Sequence, residues 1–213
     1  MNFNKGLVIV LSGFSGAGKG TIMKHLLDKH KDAYHLSISA TTRDKRTGEK
    51  EGRDYFFKTK EQFECLIEDG EFLEYANFNG NYYGTPKSYV DSLVEEGKDV
   101  ILEIEINGAL QVKKIYPDAL LLFVTPPDAK QLKERLVGRG TETKEVIEQR
   151  LDLAYQQSFL MDQYDYLVVN DDLDECVERV HETIQNEKFR IHRNLNNIEI
   201  MKKELEVFSK GDN

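Results

Sequence analysis

The residues best suited to chemistry begin near the N-terminus, in Gly13-Phe14-Ser15-Gly16-Ala17-Gly18-Lys19-Gly20-Thr21. Closely spaced glycines let successive backbone N–H groups converge on an anion, and the lysine adds a point charge for the outer phosphates of a nucleoside triphosphate. The run follows Leu7-Val8-Ile9-Val10-Leu11, which reads as a strand buried on both faces, and it opens a helical pattern from Thr21 to His30. Strand, glycine loop and helix together form the setting of a phosphate-binding loop, because a helix N-terminus favours negative charge. The position after Lys19 usually carries a Ser or Thr hydroxyl for Mg²⁺. Here it is Gly20, and the hydroxyl arrives one residue later. Thr21 is assigned to phosphate, with a helix N-terminal threonine as the structural alternative.

A second constellation spans residues 35–89. It reads Ser39-Ala40-Thr41-Thr42-Arg43-Asp44-Lys45-Arg46-Thr47-Gly48-Glu49, then Gly52-Arg53-Asp54-Tyr55, Glu71-Phe72-Leu73-Glu74-Tyr75 and Gly80-Asn81-Tyr82-Tyr83-Gly84-Thr85. Arginine forks grip phosphate bidentately and phenol hydroxyls can complete the cage. Taken singly, the two arginines read as a solvated face, the tyrosines as core or rim, and Glu74 as a surface acid. Further on, Ile101-Leu102-Glu103-Ile104-Glu105-Ile106-Asn107-Gly108-Ala109 puts two carboxylates at strand period, hence on one face. Such a pair suits a Mg²⁺–nucleotide complex or a structural salt bridge. Arg135, Arg139 and Arg150 flank a Gly- and charge-rich excursion, and Val168-Val169-Asn170-Asp171 ends the last apolar run.

In this order the motifs resemble those of the guanylate kinase family, whose members phosphorylate GMP at the expense of ATP. The match is collinear from the first strand to about Asp171. The resemblance implies that residues 13–21, with Arg135, Arg139 and Asn170, bind ATP, although Asn170 also suits a helix cap. It implies that Arg43, Arg46, Tyr55 and Tyr83 hold the GMP phosphate. Guanine falls to Glu74, Ser39 and Thr85, with Glu103 close by. A carboxylate can accept from both N1–H and N2–H₂ of guanine, whereas adenine would oppose it with an unprotonated N1. Mg²⁺ would come with ATP, held by Glu103 and Glu105 through water. Glu105 stands where Asp is common, and Asn107 where a side chain longer by one carbon is common. Lys19, Arg43, Arg135, Arg139 and Arg150 are the implied catalytic cations. His25, His30, His35, His181 and His192 are scattered and form no nucleophile constellation. None is required, since the GMP phosphate is ionised near neutral pH and positioning plus electrostatics suffice. Two other readings are a phosphopeptide-binding guanylate-kinase-like module, whose relatives have degraded loops, and a kinase of another nucleoside monophosphate such as AMP.

These residues need a scaffold. Apolar runs recur at Val100-Ile101-Leu102 into Ile104, at Ala119 to Val124 and at Tyr166 to Val169. Helical patterns lie between them, at Pro127 to Leu136 and Leu173 to Lys188. Alternation of this kind predicts an α/β fold with a parallel sheet. The expected organisation is a three-layer P-loop kinase core from residues 1–34, 90–136 and 151–213, a β-rich GMP-binding insertion at 35–89, and a short lid at 137–150. The C-terminal tail reads as charged surface helix, frayed over its last dozen residues.

Composition sets the outer limits. The 213 residues are 39% hydrophobic and 31% charged, and 38 acidic against 29 basic side chains give a net charge of −9. That balance argues against a protein that grips nucleic-acid backbones. No apolar run approaches the ~18–20 residues of a membrane span, and the N-terminus does not read as a signal peptide. Cys65 and Cys176 are far apart and make no metal spacing. A reduced, cytoplasmic protein, monomer or homodimer, acting on ATP and GMP without nucleic-acid or membrane partners, is the expectation.

Overall fold

The computed structural model describes residues 5–78, 80–138 and 143–209. In chain order the first half runs β1 (Val8–Gly13), α1 (Lys19–Lys29), β2 (Tyr34–Leu36), β3 (Ala40–Thr41), β4 (Phe56–Phe57), α2 (Lys60–Glu68), β5 (Phe72–Phe78), β6 (Asn81–Pro86) and α3 (Lys87–Glu95). The second half runs β7 (Asp99–Glu103), α4 (Ile106–Ile115), β8 (Leu120–Thr125), α5 (Ala129–Gly138), α6 (Lys144–Ser158), β9 (Tyr166–Val169), α7 (Leu173–Glu187) and α8 (Leu195–Ser209).

Five strands form the main sheet in the order β2-β7-β1-β8-β9, every pair parallel. The fold class is as expected, α/β with helices on both faces. β1 is central and buried throughout, which is why its side chains are apolar on both faces. Alternation sorts them: Leu7, Ile9 and Leu11 pack with Ile22 and Leu26 of α1 and Val177 and Val180 of α7. Val8 and Val10 pack on the other face with Val90 and Leu93 of α3 and Val112 of α4. A parallel sheet gathers its strand C-termini at one edge, and ligands of such folds sit there. The glycine loop leaves β1 at that edge.

The insertion folds as a separate four-stranded mixed sheet, in the order β4-β3-β6-β5. Its own small core stacks Phe63 of α2 against Phe72 and Tyr82, at centroid separations of 4.3 and 5.2 Å.

Four local expectations differ. Tyr34–Leu36 pairs with β7 and belongs to the main sheet, so the insertion begins after it. The insertion also contains α2, fixed by a capping box in which Thr59 accepts from the Gln62 N–H and Gln62 reaches back to the Thr59 N–H. β7 ends at Glu103, and Glu105 becomes the N-cap of α4, so the two carboxylates are not neighbours along one strand. Of the expected lid, α5 covers the beginning and α6, capped by Thr143, the end. Among the described residues no helix is long and apolar enough to cross a membrane. Cys65 is exposed on α2 and Cys176 is buried on the inner face of α7.

Candidate active site

At the end of β1 the chain turns through the glycine loop into α1. Gly18 is the N-cap of α1, in the left-handed region at φ 96°. A Cβ there would lie 2.4 Å from Asn170 Nδ2, so both backbone conformation and space require glycine. Its carbonyl accepts from the N–H groups of Thr21 and Ile22, starting the helix. Such a start directs the remaining first-turn N–H groups outward, towards an anion. Lys19 folds back across the loop and donates from Nζ to the carbonyl oxygens of Gly13 (2.7 Å) and Phe14 (3.2 Å). Phe14 is buried edge-on against Phe123, with centroids 5.0 Å apart, so it anchors the loop.

Three residues far along the chain converge on this loop. Arg135, on α5, donates to the Ala17 and Asn170 carbonyl oxygens (3.2 and 2.8 Å). Asn170, just beyond β9 and buried, donates from Nδ2 to Ala17 O (2.8 Å). Its amide nitrogen thus holds the loop, while the cap of α7 is Asp172. Arg150, from the middle of α6, donates to Ser15 Oγ (2.6 Å). Arg139 lies outside the described residues.

The facing side is built by the small sheet. β5 and β6 pair antiparallel with Glu74 opposite Thr85, and a register irregularity just before Glu74. Both residues are buried, and Thr85 Oγ1 donates to Glu74 Oε1 (2.6 Å). Burial pushes the Glu74 carboxyl above the usual carboxylate range, with the Thr85 bonds opposing that push. Room for the other oxygen comes from α4, where a Cβ on Gly108 would stand 2.8 Å from Glu74 Oε2. A buried acid with one oxygen bound and one left for a ligand is an acceptor suited to two donors.

Arg43, directly after β3, lies over the Tyr55 ring at 5.4 Å, and Tyr55 and Tyr83 are 6.2 Å apart. Its Nη2 donates to Glu49 Oε1 (2.8 Å), whose Oε2 accepts from the Arg46 backbone N–H (2.8 Å). Hydrogen bonds from Arg43 and then Arg46 hold the Glu49 carboxyl below its usual range. Glu49 fills a position that a phosphate oxygen could take, a role sequence reasoning missed although Glu49 closes the arginine motif. The Arg46 side chain itself is exposed. Ser39, Tyr55, Thr85 and Glu103 line one cleft of about 170 Å³ between the two sheets. Four of the eight assigned acceptor residues thus share this cleft, while Arg43, Arg46, Glu74 and Tyr83 are not part of its lining.

Glu103 connects the two sides. Glu103 is exposed at the end of β7, and partial desolvation by neighbouring residues raises its carboxyl pKa while the charge of Lys19 opposes that rise. Its Oε1 would be 3.7 Å from a Cβ on Gly20. The Glu103 carboxylate therefore stands beside the loop position that normally carries a metal-binding hydroxyl. Glu105 is exposed at the head of α4, and Thr21 is exposed on the first turn of α1. Among the described residues no cluster of three or more His, Cys, Asp or Glu side chains could hold a metal alone. Sparse carboxylates of this kind fit an ion that brings most of its oxygen ligands, from phosphates and water, with it.

The geometry agrees with independent similarity. The guanylate kinase family model matches residues 5–187. The chain is 52% identical over 189 residues to the guanylate kinase of Streptococcus thermophilus (strain CNRZ 1066), covering 89% of this chain and 90% of the relative. It is 50% identical over 202 residues to that of Streptococcus agalactiae serotype III (strain NEM316), covering 95% and 97%. The crystal structure of guanylate kinase from Anaplasma phagocytophilum superposes with a TM-score of 0.69 at 30% identity, covering 89% of this chain and 90% of that one.

Proposed function

Because the chain belongs to the guanylate kinase family, we propose that it transfers the γ-phosphoryl group of ATP to GMP, and to dGMP, giving ADP and the nucleoside diphosphate. The observation that carries the substrate choice is the buried Glu74–Thr85 pair, packed against Gly108 of α4. Guanine offers Glu74 two donors at N1 and N2. Adenine offers an acceptor at N1, leaving a buried carboxylate facing a lone pair, and mismatches of that kind discriminate by ~10⁴ or more.

The residues divide the work. The loop from Gly13 to Thr21 receives the ATP phosphates through backbone N–H groups, with Lys19 and Arg135 supplying charge. Arg150, already on Ser15, neutralises the group in transit, and Arg139 shares that role. Arg43, Arg46, Tyr55 and Tyr83 hold the GMP phosphate, which must replace the Glu49 carboxylate on the Arg43 fork. Ser39 donates to the base, and Thr85, whose proton goes to Glu74, orients that carboxylate. The attacking oxygen is ionised before it binds, so no side chain has to remove a proton. Alignment and charge neutralisation then carry the rate. Glu103 and Glu105 would hold, through water, the Mg²⁺ that accompanies ATP, and that ion would supply charge withdrawal from the phosphate oxygens. Monomer or homodimer, and a cytoplasmic setting, complete the proposal.

A coupled ADP-release assay with GMP, dGMP and AMP as acceptors tests it. Turnover with GMP and little with AMP is expected. AMP turnover equal to that of GMP would return the reading to a general nucleoside monophosphate kinase, and no acceptor-dependent ADP would favour a binding module.

A further inference from the structure

We propose that Ser37 is an additional GMP-binding residue, its hydroxyl completed by a hydrogen bond to the bound nucleotide. The inference rests on the acceptor site assigned above. Ser37 follows β2, and its backbone N–H still donates to Ile101 O (2.8 Å), so its position is fixed by the main sheet. It lines the same cleft as Ser39, Tyr55, Thr85 and Glu103. Its Oγ is buried and makes no hydrogen bond.

His35 Nδ1, two residues earlier, is likewise unpaired, but neighbouring hydroxyls have partners. Thr41 Oγ1 donates to Tyr82 O (2.9 Å), Thr42 Oγ1 accepts from the Tyr82 N–H (2.9 Å), and Thr85 Oγ1 donates to Glu74. On the main sheet, Ser12 Oγ donates to Ile104 O (2.8 Å). Buried polar side-chain atoms almost always find a partner, and an unpaired hydroxyl lowers stability, so its retention needs a reason. An alanine would remove the deficit with hardly any change of shape. Ser37 belongs to the lining of the cleft assigned to the purine nucleoside monophosphate, a ligand with both donors and acceptors, and a turn about χ1 brings its buried hydroxyl to that ligand. Stability withheld from the free chain is returned on binding. A rotatable O–H that donates or accepts suits such a partner.

The test compares wild type, Ser37→Ala, Ser37→Cys and Glu74→Gln by calorimetric titration with GMP alone and with a non-hydrolysable ATP analogue, alongside thermal unfolding. The expected result for Ser37→Ala is a five- to tenfold weaker GMP affinity, an unchanged affinity for the ATP analogue, and a Tm equal to or above wild type. Ser37→Cys, similar in size but a weak donor, should fall between. Unchanged GMP affinity, equal weakening of both nucleotides, or a lowered Tm in Ser37→Ala would each overturn the inference. A lowered Tm would mean that the hydroxyl serves the fold. If Glu74→Gln weakens GMP and Ser37→Ala does not, Ser37 alone is misassigned. If Glu74→Gln leaves GMP affinity intact, the acceptor-site assignment falls and the Ser37 inference with it.

Discussion

Glu74→Gln separates recognition from folding, because the two effects have opposite signs. The substitution keeps the shape. One oxygen can still accept from Thr85 Oγ1, now 2.6 Å from Oε1. The other atom becomes an NH₂ donor, held near Gly108 and facing the donors of guanine. A hydrogen bond to a charged partner contributes about 1.5–3 kcal/mol, and a donor left against a donor adds its own desolvation cost. A loss of about 3–4 kcal/mol corresponds to roughly 10²–10³ in kcat/KM for GMP. ATP binds the glycine loop, which does not touch Glu74, so KM for ATP should stay within about twofold of wild type. Burial holds the folded-state pKa of Glu74 above its unfolded value. Its contribution therefore favours folding at low pH and is lost as pH rises through the folded value. The glutamine variant should match or exceed wild-type Tm at pH 7–8, with the difference shrinking towards pH 4. GMP supplies donors to the ionised form, so wild-type affinity for GMP should fall more steeply than the variant's as pH drops through the raised pKa, the variant following only the protonation of the GMP phosphate. Coupled ADP-release kinetics and thermal melts across that pH range read all these quantities. Equal losses for GMP and ATP, or a variant less stable at neutral pH, would refute the reasoning.

Three further substitutions probe the rest of the site. Lys19→Ala removes a cation aimed at developing phosphate charge and should lower kcat by ~10²–10³; an unchanged kcat in a folded variant would remove Lys19 from the mechanism. Gly108→Ala places a Cβ 2.8 Å from Glu74 Oε2, which must move by several tenths of an ångström. A rise in KM for GMP of about tenfold, without change for ATP, is expected from initial-rate measurements, and equal values for the two proteins would mean that the carboxylate is not held there. Arg43→Lys keeps the charge but loses the fork and its stacking on Tyr55, and should cost about 10- to 100-fold in kcat/KM for GMP. Full activity would show that a point charge suffices.

How legible each part was depends on whether its signal is local. β1, β7 and β8 are readable because a strand buried on both faces must be an apolar run, and β9 is apolar as well although Tyr166 and Leu167 are exposed at the sheet edge. β2 is not, since Tyr34-His35-Leu36 is mixed and only its pairing with β7 places it in the main sheet. α2 did leave a signal, the Thr59–Gln62 capping box, but Tyr, Phe and Gly around it suggested strands. The glycine loop could be read directly because the residues that define it are nine consecutive ones. The acceptor residues needed family resemblance, because a buried Glu74 and an exposed one look alike until β5 and β6 pair. Ser37 and the hold of Asn170 on Ala17 depend on tertiary contacts that local spacing does not report, whereas Glu49 binds Arg43 and Arg46 within its own motif. Period-two reasoning grouped Glu103 with Glu105, and it failed because β7 stops one residue before the turn into α4.

The arrangement of the two thiols offers a spectroscopic handle. Cys176 is buried, and burial raises its thiol pKa, which keeps it protonated and slow towards electrophiles. Cys65 is exposed on α2, within the body that carries the guanine-reading residues. A maleimide dye should therefore enter at that single native position without any engineered cysteine. The chain also contains no tryptophan, so one introduced near the glycine loop would be the sole indole emitter and a defined energy-transfer donor. The native sequence thus comes ready for distance measurements between its two nucleotide-binding halves.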